Sequence, residues 1–265
     1  MRFQGVVPNR PDGYSGVFGL VGRLAREGRL SPGEERFRAE SNRWYDAAYP
    51  HPSDVYARHP AAAAWFRAGA AHLVERVGGY LEILDRHGVG YLVLRSDDPG
   101  TVVYEDAYQV LVVPHDVETR AAAPADTEFC FRLHRAAMGD VVAGIWGWDE
   151  DVQRGLHERG FTPGRRRIVR WRGRDVGMID VRRDAGSIYL ARIEIHPDFQ
   201  GGGIGVRLVN ALVDEAVRDG KELLLDVLAP NVRAYELYRR IGFREMYRHG
   251  DGLIKRRLRW AGERR

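Results

Sequence analysis

Residues 200 to 205 read Gln-Gly-Gly-Gly-Ile-Gly and stand directly before an amphipathic stretch. A helix N-terminus offers unpaired N–H groups and a partial positive charge, and glycines let a phosphate approach that backbone closely. Anion binding is therefore the first chemistry to test. A nucleotide P-loop needs Lys followed by Ser or Thr, and neither is present here. A dinucleotide fingerprint needs G-x-G-x-x-G/A, but counting from Gly201 reaches Val206 and counting from Gly203 reaches Leu208. The spacing that fits is Gln-x-x-Gly-x-Gly, from Gln200 through Gly201, Gly202, Gly203 and Ile204 to Gly205, running on into Val206 and Arg207.

Such a loop has to be held between a strand and a helix. The run Leu190–Ile195 reads as the strand, and Val206, Val209, Val213 and Ala216 mark one face of a helix over 204–219. Around them the spacing predicts a strand at 128–134, helices at 136–146 and 149–159, strands at 166–172, 176–182, 187–195 and 222–228, a helix at 231–241 and two terminal strands. The small, polar TRAAAPADT at 119–127 suits a linker. Upstream, Ser31 and Glu34 form a capping box that opens a helix over 32–48 with Pro32 in its first turn. Pro60 opens a longer helical pattern through Phe66, Ala70, Leu73, Val77, Leu81 and Leu84, kinked at Gly78-Gly79. Strands follow at 90–94, 101–104 and 108–113. The expected architecture is α+β: residues 1–118 form a small module of helices followed by a β-meander, and 127–260 form a second domain.

At 265 residues the chain has room for two such domains, and its 44% hydrophobic and 29% charged composition is that of a soluble globular protein. No apolar run reaches the ~18 residues of a membrane span. The opening MRFQGVVPNRPDGYSG lacks the basic and apolar regions of a secretory signal, so a cytoplasmic location is expected. The single cysteine, Cys130, lies in an apolar run and reads as a buried structural thiol. Residues 1–118 carry 13 basic and 16 acidic side chains, whereas 119–265 carry 28 and 21, so the second half is the natural home of an anionic ligand.

A second segment, LDVLAPNVRAYELYRRIGFRE, places Asn231 at a helix cap and Tyr238 four residues before Gly242-Phe243. With IHPDFQ before the glycines and the Q-x-x-G-x-G loop, roughly residues 127–260 resemble the GNAT superfamily of N-acetyltransferases. The resemblance implies a mixed, splayed sheet flanked by helices, with acetyl-coenzyme A as co-substrate and no metal. Its pyrophosphate would lie on the glycine loop, with Arg207 close to the remaining charge. Pantetheine would bond main-chain groups of Ile193, Glu194 and Ile195, and Asn231 would complete the tunnel.

Direct acyl transfer to an amine needs a base, oxyanion stabilisation and a proton for the leaving thiolate. The family's pattern assigns the proton to Tyr238 and the oxyanion to the Ile195 N–H. The base is Glu194 or Asp226, both of which also fit solvated positions on a strand. His196 reads as part of a His-Pro strand terminator. The acceptor site falls on 136–151. There Trp146 and Trp148 suit a pocket wall, and Asp149 and Glu150, with Asp151, suit a cationic amine; the same residues also fit tryptophans between layers and acids at a helix start.

The resemblance implies an N-acetyltransferase acting on a primary amine of a small metabolite or antibiotic. Peptide or lysine acetylation and non-catalytic acyl-coenzyme A sensing are the alternatives. Five histidines in residues 1–118 show no metal-ligand spacing. The module's expected roles are covering the acceptor pocket, dimer formation or partner binding. The VVYEDAYQVLVV stretch suits either pairing with another chain at a sheet edge or completing its own sheet. The expected partners are thus a small-molecule amine and a possible homodimer, without nucleic acid or membrane.

Overall fold

In the computed structural model, which describes residues 1–8 and 13–262, the chain divides into compact units Met1–His115 and Asp116–Arg265. The first contains β1 (Arg2–Gly5), α1 (Val17–Arg26), α2 (Pro32–Ala48), α3 (Ser53–Arg58), β2 (Ala63–Phe66), α4 (Ala71–Glu75), α5 (Gly78–Arg86), β3 (Tyr91–Leu94), β4 (Thr101–Glu105) and β5 (Gln109–Val113). The Ser31–Glu34 box opens α2 as its sequence predicts, each side chain bonding the other residue's backbone N–H.

The long helix expected from Pro60 is replaced by β2, α4 and α5. Ala63–Phe66 pairs antiparallel with β5, and this tertiary pairing overrides the helix preference of alanine. The break between α4 and α5 falls just before the two glycines. A Cβ on Gly79 would lie 2.2 Å from the Phe37 ring, so glycine there is what lets α2 and α5 approach. The strands do not form one meander: β3 pairs with β1, while β5 lies between β2 and β4. The core of the unit is aromatic, with Phe18 edge-on to both Tyr45 and Tyr80 at 4.8 Å.

The second unit contains β6 (Val117–Ala121), α6 (Thr127–Trp146), α7 (Glu150–Gly160), β7 (Arg166–Trp171), β8 (Arg174–Arg183), β9 (Ser187–Ile195), α8 (Ile204–Asp219), β10 (Glu222–Leu228), α9 (Val232–Ile241), β11 (Phe243–His249) and β12 (Lys255–Trp260). Two expectations fail at its start. The 119–127 segment is not a linker: Val117–Ala121 is the edge strand β6, paired with β7. The strand expected at 128–134 is the first part of α6. Its buried residues are Cys130, Phe131, Leu133 and Val142, and Phe129 packs on the cluster that holds Cys130 and Leu133, so the apparent strand-like alternation of Phe129 and Phe131 is incidental. Burial pushes the Cys130 thiol up to about 11, in keeping with an inert packing residue.

The seven-stranded sheet runs β11-β12-β10-β9-β8-β7-β6, and only the β9–β10 pair is parallel. That pair joins Ser187–Leu190 to Glu222–Leu225 and then stops. Its end coincides with a bulge in β9: Arg192 faces Asp180 and Leu190 faces Val181 on β8, leaving Ala191 over. A bulge bends its strand. Here β9 parts from β10, which continues through Leu228 paired with β12 alone.

Candidate active site

The gap between the parted strands is a cleft of about 820 Å³, walled by β9 from Tyr189 to Glu194, by β10 from Asp226 to Leu228, and by residues of α6, α7 and α9. The antiparallel ladder determines which main-chain groups face it. The His196 N–H bonds the Val176 carbonyl, so 196/176 is a hydrogen-bonded pair and, counting back by twos, so is Glu194 with Met178. Ile193 and Ile195 fall at the alternate positions, where N–H and C=O point away from β8 toward the gap. The side-chain amide of Gln200 donates to the Ile195 carbonyl (2.8 Å), leaving the Ile195 N–H and both main-chain groups of Ile193 on the open edge.

The glycine loop follows the end of β9 and leads into α8. Gly201 and Gly203 adopt φ of +82° and +90°, which only glycine takes without strain, and Gly203 stands at the start of α8 with no side-chain cap. Gly202 and Gly205 differ: a Cβ on either would meet nothing within 4 Å. Their missing side chains leave open space beside uncapped N–H groups, a cradle that suits a phosphate. Gln200 fixes the loop, since its Oε1 also accepts from the Arg233 guanidinium at 2.7 Å. Ile204 and Val206 anchor α8 in the core, and Arg207 lies in its first turn.

Glu194 is buried on the wall of the cleft. Its Oε1 lies 2.9 Å from His134 Nδ1 and accepts from Arg192 Nη1 at 3.2 Å, whereas its Oε2 has no hydrogen-bond partner among the described residues. Burial raises its pKa, but the His134 hydrogen bond, Arg192 and Arg166 outweigh that and hold the carboxyl below its ordinary value. Beside it, the ring of His157 lies 6.4 Å from that of His134, and burial with the neighbouring Arg166 and Arg192 cations pushes His157 down to about 4. His134, His157, Arg166 and Arg192 were not among the residues singled out in the sequence.

Asp226 also lines the cleft, but both of its oxygens are engaged. Arg257 donates to Oδ1 and Oδ2, the Tyr189 hydroxyl donates to Oδ2 at 2.9 Å, and His249 Nε2 lies 3.0 Å from Oδ1. Those partners overcome its burial and hold its carboxyl below the usual range. Tyr238 lines the cleft from α9, its ring edge-on to Phe243 at 5.6 Å, and burial raises its pKa. Asn231 caps α9, accepting from the Ala234 N–H at 3.2 Å. His196 caps the short turn after β9 by accepting from the Asp198 N–H, the structural role its sequence suggests.

The expected acceptor residues divide. Trp146 and Asp149 line the cleft, although Asp149 also caps α7 through the Val152 N–H. Trp148 and Glu150 are not part of its wall. The Trp148 indole donates to Glu150 at 2.9 Å, and Arg135 and Arg154 pair with the same carboxylate, so both residues are committed to the α6–α7 contact.

Residues 123–243 match the family model described as acetyltransferase (GNAT) family. The second unit carries a GNAT acetyltransferase domain. Similar solved structures include the PaiA N-acetyltransferase from Thermoplasma acidophilum in complex with coenzyme A (17% identity, TM-score 0.46, covering 54% of this chain and 98% of that one). Others are an acetyltransferase from Thermus thermophilus (23%, TM-score 0.41, 54% and 94%) and the ribosomal-protein-S18-alanine N-acetyltransferase from Escherichia coli (20%, TM-score 0.39, 54% and 92%). The family is acetyl-coenzyme A dependent. Among the described residues, no helix of this GNAT-bearing chain is long and apolar enough to cross a membrane, and no three His, Cys, Asp or Glu side chains gather as metal ligands would.

Proposed function

We propose that the GNAT domain transfers an acetyl group from acetyl-coenzyme A directly to a primary amine of a small molecule, with Glu194 as base and Tyr238 as acid. The observation that carries this reading is the free Oε2 of Glu194, a buried carboxylate oxygen without a partner on the wall of the cleft that the parted strands create.

The residues present fit the coenzyme. Main-chain N–H groups from Gly201 to Val206 would hold its diphosphate in the space kept open at Gly202 and Gly205. The edge groups of Ile193 and Ile195 would bond its amide-bearing arm as an added strand would. When bound, the coenzyme supplies an acyl group activated as a thioester.

The remaining chemistry belongs to the protein. His134 and Arg192 occupy one oxygen of Glu194 and fix its orientation, leaving the other unpartnered and able to take a proton. Because these partners keep Glu194 ionised, it attracts an ammonium ion, and its Oε2 takes a proton from it before the attack, leaving the neutral amine whose lone pair adds to the thioester carbonyl. The Ile195 N–H donates to the carbonyl oxygen as negative charge develops there. The Tyr238 hydroxyl, kept protonated by burial, supplies the proton to the departing sulfur. Asp149, at the α7 end of the cleft, adds a second negative charge for a cationic acceptor.

A thiol-release assay across polyamines, aminoglycosides, amino acids and short peptides tests the proposal. Turnover with free amines and not with peptides is the expected result. Turnover on peptides alone would overturn the acceptor class, and coenzyme binding without turnover on any amine would overturn catalysis.

A further inference from the structure

The first unit contains its own cavity, about 720 Å³, lined by residues from β1, α1, α2, α3 and β2 and the turns between them. Nothing in the acetyl-transfer chemistry uses it. Its wall is aromatic: Phe18 lies edge-on to Tyr45 at 4.8 Å, Tyr45 edge-on to Tyr49 at 6.1 Å, and Tyr56 stacks on His51 at 5.6 Å. An aromatic core normally closes on itself. Here the rings leave a space the size of a small ligand.

The polar groups around the cavity separate into those already satisfied and those left over. Arg2 is buried and engaged through Nε, Nη1 and Nη2, donating to Gln4, to the Ala64 carbonyl and to the Tyr14 carbonyl at 2.8 to 2.9 Å. Gln109 donates to the Pro50 carbonyl, and the Tyr45 hydroxyl to the Leu73 carbonyl. Three of the groups left over decide the ligand. The indole N–H of Trp65, a residue 5% exposed, is buried with no acceptor among the described residues. The half-buried Tyr49 hydroxyl has no partner among them, and burial pushes its pKa up to about 12. Asp46, exposed at the rim, has no ion pair among them either.

A buried N–H without an acceptor is costly in a finished core and ordinary in a site that awaits a ligand. The sign of the ligand's charge follows from the rest. The Nε, Nη1 and Nη2 of Arg2 already donate to the fold, Asp46 contributes a carboxylate without an ion pair among the described residues, and the faces of aromatic rings are themselves electronegative and attract cations. From these observations we infer that the cavity of the first unit is a binding site for a small organic cation that carries a hydrogen-bond acceptor. The ammonium lies against the Tyr45, Tyr49 and Tyr56 rings toward Asp46, and its oxygen accepts from Trp65. Its lining shares no residue with the transferase cleft, so the inference does not depend on the proposed activity.

The test uses the full chain and two probes without an N–H, which acetyl transfer to nitrogen cannot consume: tetramethylammonium, a bare cation, and choline, which adds a hydroxyl. Titration calorimetry should show saturable binding of both, with choline the tighter. Asp46→Asn, at an exposed position that leaves folding intact, should weaken both about tenfold, the scale of a cation–π or charge contribution. Trp65→Phe removes the N–H and keeps a ring; it should weaken choline alone and bring the two probes level. Absence of saturable binding by either cation overturns the inference. So does binding that both variants leave unchanged, which would place the probes in the other cleft among Trp146 and Asp149.

Discussion

Two carboxylates face the same cleft from neighbouring strands, and their surroundings give them opposite roles. Glu194 on β9 has two partners on one oxygen and none on the other. Asp226 on β10 has Arg257, Tyr189 and His249 distributed over both. Both are held ionised, so charge alone does not distinguish them. What differs is spare hydrogen-bonding capacity: a base needs an oxygen free to accept a proton, and only Glu194 keeps one. Asp226 instead ties β10 to β12 and β11, fastening the strand from which β9 has parted.

The sharpest way to break this comparison is to exchange each acid for its amide. Glu194→Gln should lower kcat by roughly 10²- to 10⁴-fold, the range for loss of a general base, in a protein that still folds. Asp226→Asn should do the reverse, costing about 2 kcal/mol of stability by weakening a half-buried ion pair while retaining most of the turnover. Steady-state rates and melting curves on both variants decide it; a catalytic collapse in Asp226→Asn with Glu194→Gln still active would exchange their roles.

The glycine loop offers a second contrast. Gly205→Val should weaken coenzyme A binding at least about tenfold. It should leave stability within about 1 kcal/mol, because the new side chain enters open space and not the core. Gly203→Val, at φ +90°, should cost about 1–2 kcal/mol in folding before any ligand is added. Calorimetry with coenzyme A and melting in its absence separate the two effects. A smaller effect is expected at His134→Gln. With one of the groups that lowers the Glu194 pKa gone, the acid limb of the kcat/KM profile should move to higher pH, and an unmoved limb would remove His134 from any positioning role.

These contrasts were unequally visible in the sequence. The loop from Gln200 to Gly205, the caps at Ser31 and Asn231 and the period of α8 are local patterns, so their readings survive folding. The partners of Glu194 are not local. Arg192 is two residues away on the same strand face and could have been found by alternation. His134 could not, because 128–134 read as a strand, and its approach to Glu194 depends on α6 crossing β9. The unequal satisfaction of Glu194 and Asp226 likewise depends on β12, some thirty residues downstream of Asp226, bringing Arg257 alongside. In the first unit, Ala63–Phe66 became a strand only because β5 was there to pair with it.

His157 shows what burial alone does beside the pair Glu194 and His134. In the fold it remains neutral down to about 4, because its ring is buried and faces Arg166, Arg192 and His134, which outweigh the opposing charge of Glu194. In the unfolded chain it takes up a proton near the ordinary histidine value of about 6.5. Between those values the unfolded state binds more protons, so stability present above about pH 6.5 is lost as pH falls toward 4, by about 1 kcal/mol per unit. His157→Phe keeps a ring against Phe131 and Phe161 and removes the titration. Urea melts of the two proteins should therefore diverge in slope across that window and run parallel above it. If they stay parallel throughout, His157 takes up its proton in the folded protein, and the site behind Glu194 is wetter and more charged than its packing implies.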